Sequence, residues 1–294
     1  MANLKAIRIR ITSVKSTRQI TSAMKMVSAA KLRKAQDKIV RLRPYANKLY
    51  EILLGLNQSL ADSEIENVYG RESNPEKILI VVITSNRGLC GAFNTNVIKE
   101  TRRIITEKYP EQYRNNNLWL LPIGKKGFDF FKKLKINMLQ DQNNLLHDLT
   151  FDNVAGVAEQ VMKSFTLKEF DRVEIVYNQF KNAAVQILTN EQFLPVSALP
   201  QGKAAMAPVD YIYEPSQEEI VQELIPKSLK IQFYKAVLNS FVAEHGARMT
   251  SMHKATDNAT SMIRDLTLQY NKARQATITN QILEVVSGAE ALRG

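Results

Sequence analysis

The residues able to do covalent or metal chemistry in this chain are few and scattered. The single cysteine, Cys90, sits between Gly88 and Gly91, where an apolar run gives way to a helical stretch. A helix N-terminus lowers a thiol's pKa and makes it reactive. Cys90 has no histidine near it in sequence, so a packed thiol is the expectation. The three histidines are His147, His245 and His253. The last two stand about two helical turns apart without an accompanying carboxylate, so no zinc site is expected. Phosphate cradles are also missing. Gly124-Lys125-Lys126-Gly127 and Gly202-Lys203-Ala204 lack the spacing and the hydroxyl of a nucleotide-binding loop. Arg87-Gly88-Leu89-Cys90-Gly91 has its glycines in the wrong frame for a pyrophosphate turn. The expectation is a chain with no catalytic residue, no cofactor and no metal.

Charge is the stronger signal. The net charge is +11, and residues 1–48 hold 13 Lys and Arg against one acid, Asp37. That segment therefore carries the whole excess, and the rest is close to neutral. A solvated helix ordinarily mixes signs so that neighbouring turns pair; this one does not. Such a field suits an acidic partner: nucleic acid, anionic lipid or a protein surface rich in Asp and Glu.

The elements that carry these residues are unusual. From Ala2 to Leu54 there is no glycine and one proline, Pro44; from Lys227 to Ser287 there is no proline and one glycine, Gly246. Helices of roughly 50 and 60 residues would reach about 80 and 90 Å. Each carries a heptad count. The first runs Leu4, Ile7, Ile11, Val14, Arg18, Thr21, Lys25, Ser28, Leu32, Ala35, Ile39, Leu42, and is polar in its middle. The second runs from Ile231 through Leu238, His245, Met252, Ala259, Leu266 and Ala273 to Asn280, with Tyr234, Phe241, Arg248, Ala255, Met262, Gln269, Ala276 and Leu283 in the alternate places. This periodicity predicts a left-handed coiled coil of the two ends, antiparallel or folded back through the middle. Pro44 is expected to end or kink the first helix, and residues 55–76 read as a loop. Between the ends, Ile78–Thr84, Leu118–Ile123, Val173–Tyr177 and Val185–Leu188 read as strands, the last two as a hairpin through Lys181–Ala183. Helical stretches at about Asn96–Tyr109 and Asp152–Phe165 complete an α/β pattern that predicts a doubly wound sheet. The domains expected are a coiled-coil helix at 1–56, an α/β domain at 75–200 and a second coiled-coil helix at 217–290, with 200–216 as a link. No stretch is long and apolar enough to span a membrane. One cysteine excludes an internal disulfide and fits a reducing compartment. The basic, acid-poor start is similar to a transit segment, yet the helical pattern runs through it unbroken, and it is read as part of the mature chain.

Three blocks carry a resemblance. Ile11-Thr-Ser-Val-Lys-Ser-Thr-Arg-Gln-Ile-Thr-Ser-Ala-Met-Lys-Met-Val-Ser-Ala-Ala-Lys-Leu-Arg33 resembles the N-terminal signature of the γ subunits of F-type ATP synthases. Ser85-Asn-Arg-Gly-Leu-Cys-Gly-Ala-Phe-Asn94 is similar to that family's central motif. Gly246-Ala-Arg-Met-Thr-Ser-Met-His-Lys-Ala-Thr-Asp-Asn-Ala259, Asn271–Thr279 and Ser287–Ala291 are similar to its C-terminal signature. The blocks follow the family's order along the whole chain. Asn86 replaces a usual Asp, His253 stands where Lys is commoner, and the two-cysteine insertion of the chloroplast form is missing.

The resemblance implies a long antiparallel coiled coil joined to a central Rossmann-like α/β domain. It implies a non-catalytic central shaft, one copy per complex, that couples ion flow through the membrane c-ring to ATP synthesis or hydrolysis on the β subunits. The partners implied are the α and β subunits of the catalytic hexamer, ε, δ and the c-ring, on the cytoplasmic face of a bacterial inner membrane. By the same resemblance Met24 and Lys25 would lie near lever segments of β, and Arg248, Arg274 and Gln275 would form a polar catch with β loops. Met24 also reads as a flexible core filler, Arg248 as an ion pair within the coil, and the Ser85–Gly91 turn as structural. Two other functional classes meet objections in the sequence. A nucleic-acid-binding coiled coil is disfavoured because residues 1–44 lack Phe, Tyr and Trp for base stacking. A nucleotide-dependent enzyme lacks a phosphate cradle.

Overall fold

The computed structural model describes residues 4–59, 69–71, 74–196 and 217–292. The expected link at 200–216 lies outside them. The chain divides into two compact units, one of residues 1–29 with 248–294 and one of residues 30–247. Two helices contribute to both: α1 (Leu4–Ser59) and α6 (Gln217–Ala291).

The larger unit is built on a five-stranded sheet. Its strands are β1 (Ile78–Ile83), β2 (Leu118–Ile123), β3 (Asn137–Met138), β4 (Arg172–Phe180) and β5 (Gln186–Leu194), in the order β3-β2-β1-β4-β5. The first four run parallel, and β5 returns antiparallel on β4. β1 is buried along its whole length, as an uninterrupted Val/Ile/Leu run requires when helices cover both faces. Leu79, Val81 and Ile83 face one core with α5 (Phe151–Thr166) and α6. Ile78, Ile80 and Val82 face the other, with α2 (Phe93–Arg103) and α4 (Lys125–Lys133). A short helix, α3 (Pro110–Arg114), follows a π turn at Ile104–Lys108, so the helix expected over 96–109 starts earlier and ends in a wider coil. The expected hairpin is present: Asn182 Oδ1 accepts from the backbone of Ala184 and Val185 at 3.0 and 2.8 Å. Thr150 caps α5 by accepting from Asn153 N.

Both long helices are anchored in this unit. Lys38 Nζ donates to Leu149 O at 2.9 Å, and Lys230 pairs with Glu159 of α5. From Leu229 to Ala247, α6 exposes only Lys235. Pro44 does not end α1, which continues to Ser59, nor does Pro226 interrupt α6. An internal proline costs about 3 kcal/mol or more. Here Leu42, Ala46 and Leu49 pack on Leu224, Ile225 and Ile231, and that apolar contact offsets it. Of the loop expected at 55–76, residues 55–59 are helical, 69–71 and 74–76 are irregular, and the others lie outside the described residues.

The smaller unit is a helical pair. Of the twelve heptad positions counted in α1, only Arg18 is exposed. Thr21 Oγ1 lies 2.8 Å from Thr256 Oγ1. The unit holds no residue of α6 before Arg248, so the buried Ile7, two heptads before Thr21, finds its partner toward Tyr270 and the pair runs antiparallel. In α6 the count needs correction. Met252, Ala259, Leu266 and Ala273 turn inward as expected, but Met262, Gln269 and Ala276 are exposed, and Thr256, Ile263, Tyr270 and Thr277 take the alternate places. Residues 278–292 are exposed throughout, Asn280 and Leu283 of the count included.

Candidate functional site

The crossover from β1 to β2 lies on one face of the sheet and the crossover from β3 to β4 on the other, which puts the switch of direction between β1 and β4. A doubly wound sheet takes ligands in the crevice beyond the carboxyl ends of such a pair. Here the chain fills that crevice itself. The Ser85 backbone N–H and hydroxyl donate to Asn94 Oδ1 at 2.9 and 3.0 Å, and Asn94 Nδ2 donates to Cys90 Sγ at 3.2 Å. Cys90 and Phe93 are buried against Ala243 and Ala247 of α6 and the ring of Phe180. Asn178 Nδ2 closes the gap by donating to Phe93 O at 3.0 Å. Gly246 belongs to this contact: a Cβ there would come within 3.2 Å of the Phe180 ring and 3.3 Å of Ala183 Cα. The packed-thiol reading of Cys90 holds.

The rest of the motif pins neighbouring loops. Asn86 Oδ1 accepts from Lys125 N at 2.9 Å while its Nδ2 donates to Asn143 O at 2.9 Å. An aspartate keeps the first bond and loses the second. Thr84 ties β1 to α4 by donating to Gly124 O at 3.1 Å and accepting from Gly127 N at 2.8 Å. Gly124 has φ 106°, and any side chain there would meet Thr84 O at 2.2 Å.

Two carboxylates, one buried and one half-buried, escaped sequence reasoning. Glu174, 1% exposed near the start of β4, accepts from Lys108, Tyr109 and Asn190. Burial pulls the Lys108 ammonium down, but its bond to Glu174 and that charge together hold it above its usual value. Burial, then Glu174, pushes the Tyr109 phenol up. Glu191 of β5 accepts from Tyr177 Oη at 3.3 Å and Gln232 Nε2 at 3.5 Å. Burial pushes its carboxyl up against those bonds and nearby Lys235. The available signal was an acid inside a run otherwise fit for a doubly covered strand.

In the helical pair, Met24 and Lys25 are half-buried, Arg274 and Gln275 are exposed, and Arg248 is only 7% exposed. Arg274 stands 26 residues beyond Arg248 on the same helix, roughly 39 Å along its axis, so these five do not form one cluster. His253 does have a carboxylate one turn on: its Nδ1 lies 3.4 Å from Asp257 Oδ2, both exposed. Among the described residues no group of three or more His, Cys, Asp and Glu converges as a metal site, and no helix is long and apolar enough to cross a membrane. The surface features that the counts overlooked are apolar. Ile20, Met26 and Val27 on α1, and Leu268, Ile282 and Val285 on α6, are all more than half exposed. Isolated cases are ordinary; a series along one helical pair marks a surface that meets something.

The ATP synthase family model matches residues 3–292. The ATP synthase gamma chain of Flavobacterium psychrophilum is 55% identical over 294 residues, covering 100% of both chains. That of Flavobacterium johnsoniae is 56% identical over 295 residues, again covering 100% of each. This chain belongs to the ATP synthase gamma chains. Among solved structures, the central stalk and c-ring of the Tetrahymena thermophila mitochondrial ATP synthase contains a chain 26% identical, with a TM-score of 0.57, covering 80% of this chain and 99% of that one. A chain of the Euglena gracilis mitochondrial ATP synthase shares the fold at a TM-score of 0.66 and 21% identity, covering 98% and 94%. In this gamma chain, then, the crevice that would hold a nucleotide in other doubly wound sheets holds a turn of its own C-terminal helix.

Proposed function

We propose that this chain is the central rotary shaft of an ATP synthase and is itself non-catalytic. It couples ion flow through a membrane c-ring to ATP synthesis or hydrolysis on β subunits. One observation carries the reading. The α1 part of the helical pair, residues 4–29, carries six Lys and Arg and no Asp or Glu, together with exposed apolar side chains around a thin seam. That surface suits a sleeve that turns past it. Exposed ion pairs are worth only about 0–1 kcal/mol, so contacts with acidic segments of β guide without trapping.

On this reading Met24 and Lys25 meet the β levers, and the exposed Arg274 and Gln275 meet β loops. Arg248, being buried, would reach a β loop only by the edge of its guanidinium. The partners are one hexamer of α and β with ε, δ and the c-ring, at the cytoplasmic face of a bacterial inner membrane. No cofactor is assigned to the chain.

The test is co-purification with a tagged copy: α, β and ε should come down together, and their absence would overturn the reading. In reconstituted complexes, Lys25→Glu should slow turnover, and unaltered rate and torque would remove Lys25 from the lever contact. Truncation after Asn271 should weaken coupling before it prevents assembly. Lost assembly with intact coupling in the surviving complexes would contradict this.

A further inference from the structure

The larger unit has a second opening, at the amino-terminal edge of the sheet. It is a polar pocket of about 670 Å³, within the size range of small-ligand sites. Segments preceding β1 and β2 line it, together with Arg172 at the start of β4 and residues of the π turn and α3.

Three observations point to a ligand of defined chemistry. First, Glu174 already has its donors in Lys108, Tyr109 and Asn190, so the pocket's cations are not all needed to neutralise it. Second, Arg172 Nε is buried with no hydrogen-bond partner among the described residues. A buried donor without an acceptor costs about 1–3 kcal/mol, more on a charged group. A guanidinium's fork matches the oxygens of a carboxylate or phosphate. Third, the π turn places the consecutive residues Lys108 and Tyr109 on the same carboxylate. Turns of this kind concentrate at functional sites. The two acids of the lining, Glu76 and Glu111, are exposed at the mouth, where water screens them.

We propose that this pocket binds a small oxyanion, a phosphate or a carboxylate, on the Arg172 guanidinium, with the Lys108 ammonium as second donor. The site is independent of the shaft role and stands or falls on its own.

The test uses the full-length chain, titrated separately with inorganic phosphate and with succinate at ionic strength matched by potassium chloride, and followed by calorimetry. Saturable heat with either anion and none with chloride is expected. Binding by phosphate alone assigns a phosphate site, binding by succinate alone a carboxylate site, and binding by both a general oxyanion site. Arg172→Gln should weaken binding at least tenfold, while Arg103→Gln, an exposed residue paired with Glu100, should change it less than twofold. A readout that needs no destabilising variant is the Arg172 Nε–H resonance in ¹⁵N-labelled wild type, assigned by its loss in Arg172→Lys. It should move along a saturable curve. An unmoved resonance, or heats that chloride reproduces, would overturn the proposal.

Discussion

The two units solve the problem of burial differently. In the α/β unit the interior is made of large side chains: Phe131, Phe165, Phe193 and Phe233 are 0–1% exposed and sit among branched aliphatics from both sheet faces. In the helical pair the buried positions include Thr21, Ser28, Met252, Ala259 and Leu266. Small residues let helix axes approach closely, but each removes little apolar area from water, at about 25 cal/mol per Å². The first design fixes one geometry by close packing. The second gives a slender element whose seam is partly held by hydroxyls and whose outer surface stays available. A domain that must keep its shape invests in volume, and an element that must fit inside something else economises on it.

The contrast can be broken by experiment, beginning with the largest effect. Phe165→Ala should destabilise the chain by about 3–5 kcal/mol, read by denaturant unfolding, whereas Ala259→Gly in the seam should cost only about 1 kcal/mol. Equal costs would erase the distinction. Gly246→Val should cost about 1–3 kcal/mol through overpacking against Phe180 and Ala183. An unchanged unfolding midpoint would mean that the crevice is looser than its distances imply. For the seam hydroxyls, Thr21→Val and Thr256→Val should each cost about 1 kcal/mol and the double replacement less than their sum, since either change alone already removes the cross-helix bond. Strict additivity would show that the cross-helix bond contributes nothing.

The smallest effect concerns pH. The Glu191 carboxyl titrates above its ordinary range because it is buried. A raised folded-state value means that its contribution to stability is complete below the unfolded pKa and is lost as pH rises through the folded one. Glu191→Gln should therefore raise the Tm slightly at pH 7–8 and leave it unchanged near pH 4. A gain larger at pH 4 would reverse the assignment.

Much of this architecture was legible because it rests on period and composition. The apolar runs at 78–83 and 118–123 are strands, and the α1 count matched burial at every position but Arg18. What was illegible has a common cause. In α6 an apolar count favours Met262 and Ala276, whereas a seam of small residues admits Thr256 and Thr277, whose hydroxyls can bond within the helix or across it. Thr189-Asn190-Glu191-Gln192 looks too polar for a strand, but β5 lies at the sheet edge, where one face meets water. A two-residue β3 has no period to detect. Pro44 misleads because the packing of its neighbours, which offsets its local cost, comes from residues nearly two hundred positions away. The candidate contact residues were legible only through family resemblance, since nothing in the local pattern of Met24 or Gln275 marks them out.

The grip of the α/β unit on residues 229–247 also governs how this chain can change its length. With that stretch clamped, one residue added anywhere beyond Ala247 would swing every later side chain by about 100° around the helix axis. Insertions in α6 are therefore phase-restricted: only lengths close to whole turns, such as about seven or eleven residues, matched by equal ones in α1, preserve which residues look inward. Drift that loops absorb freely is quantised here.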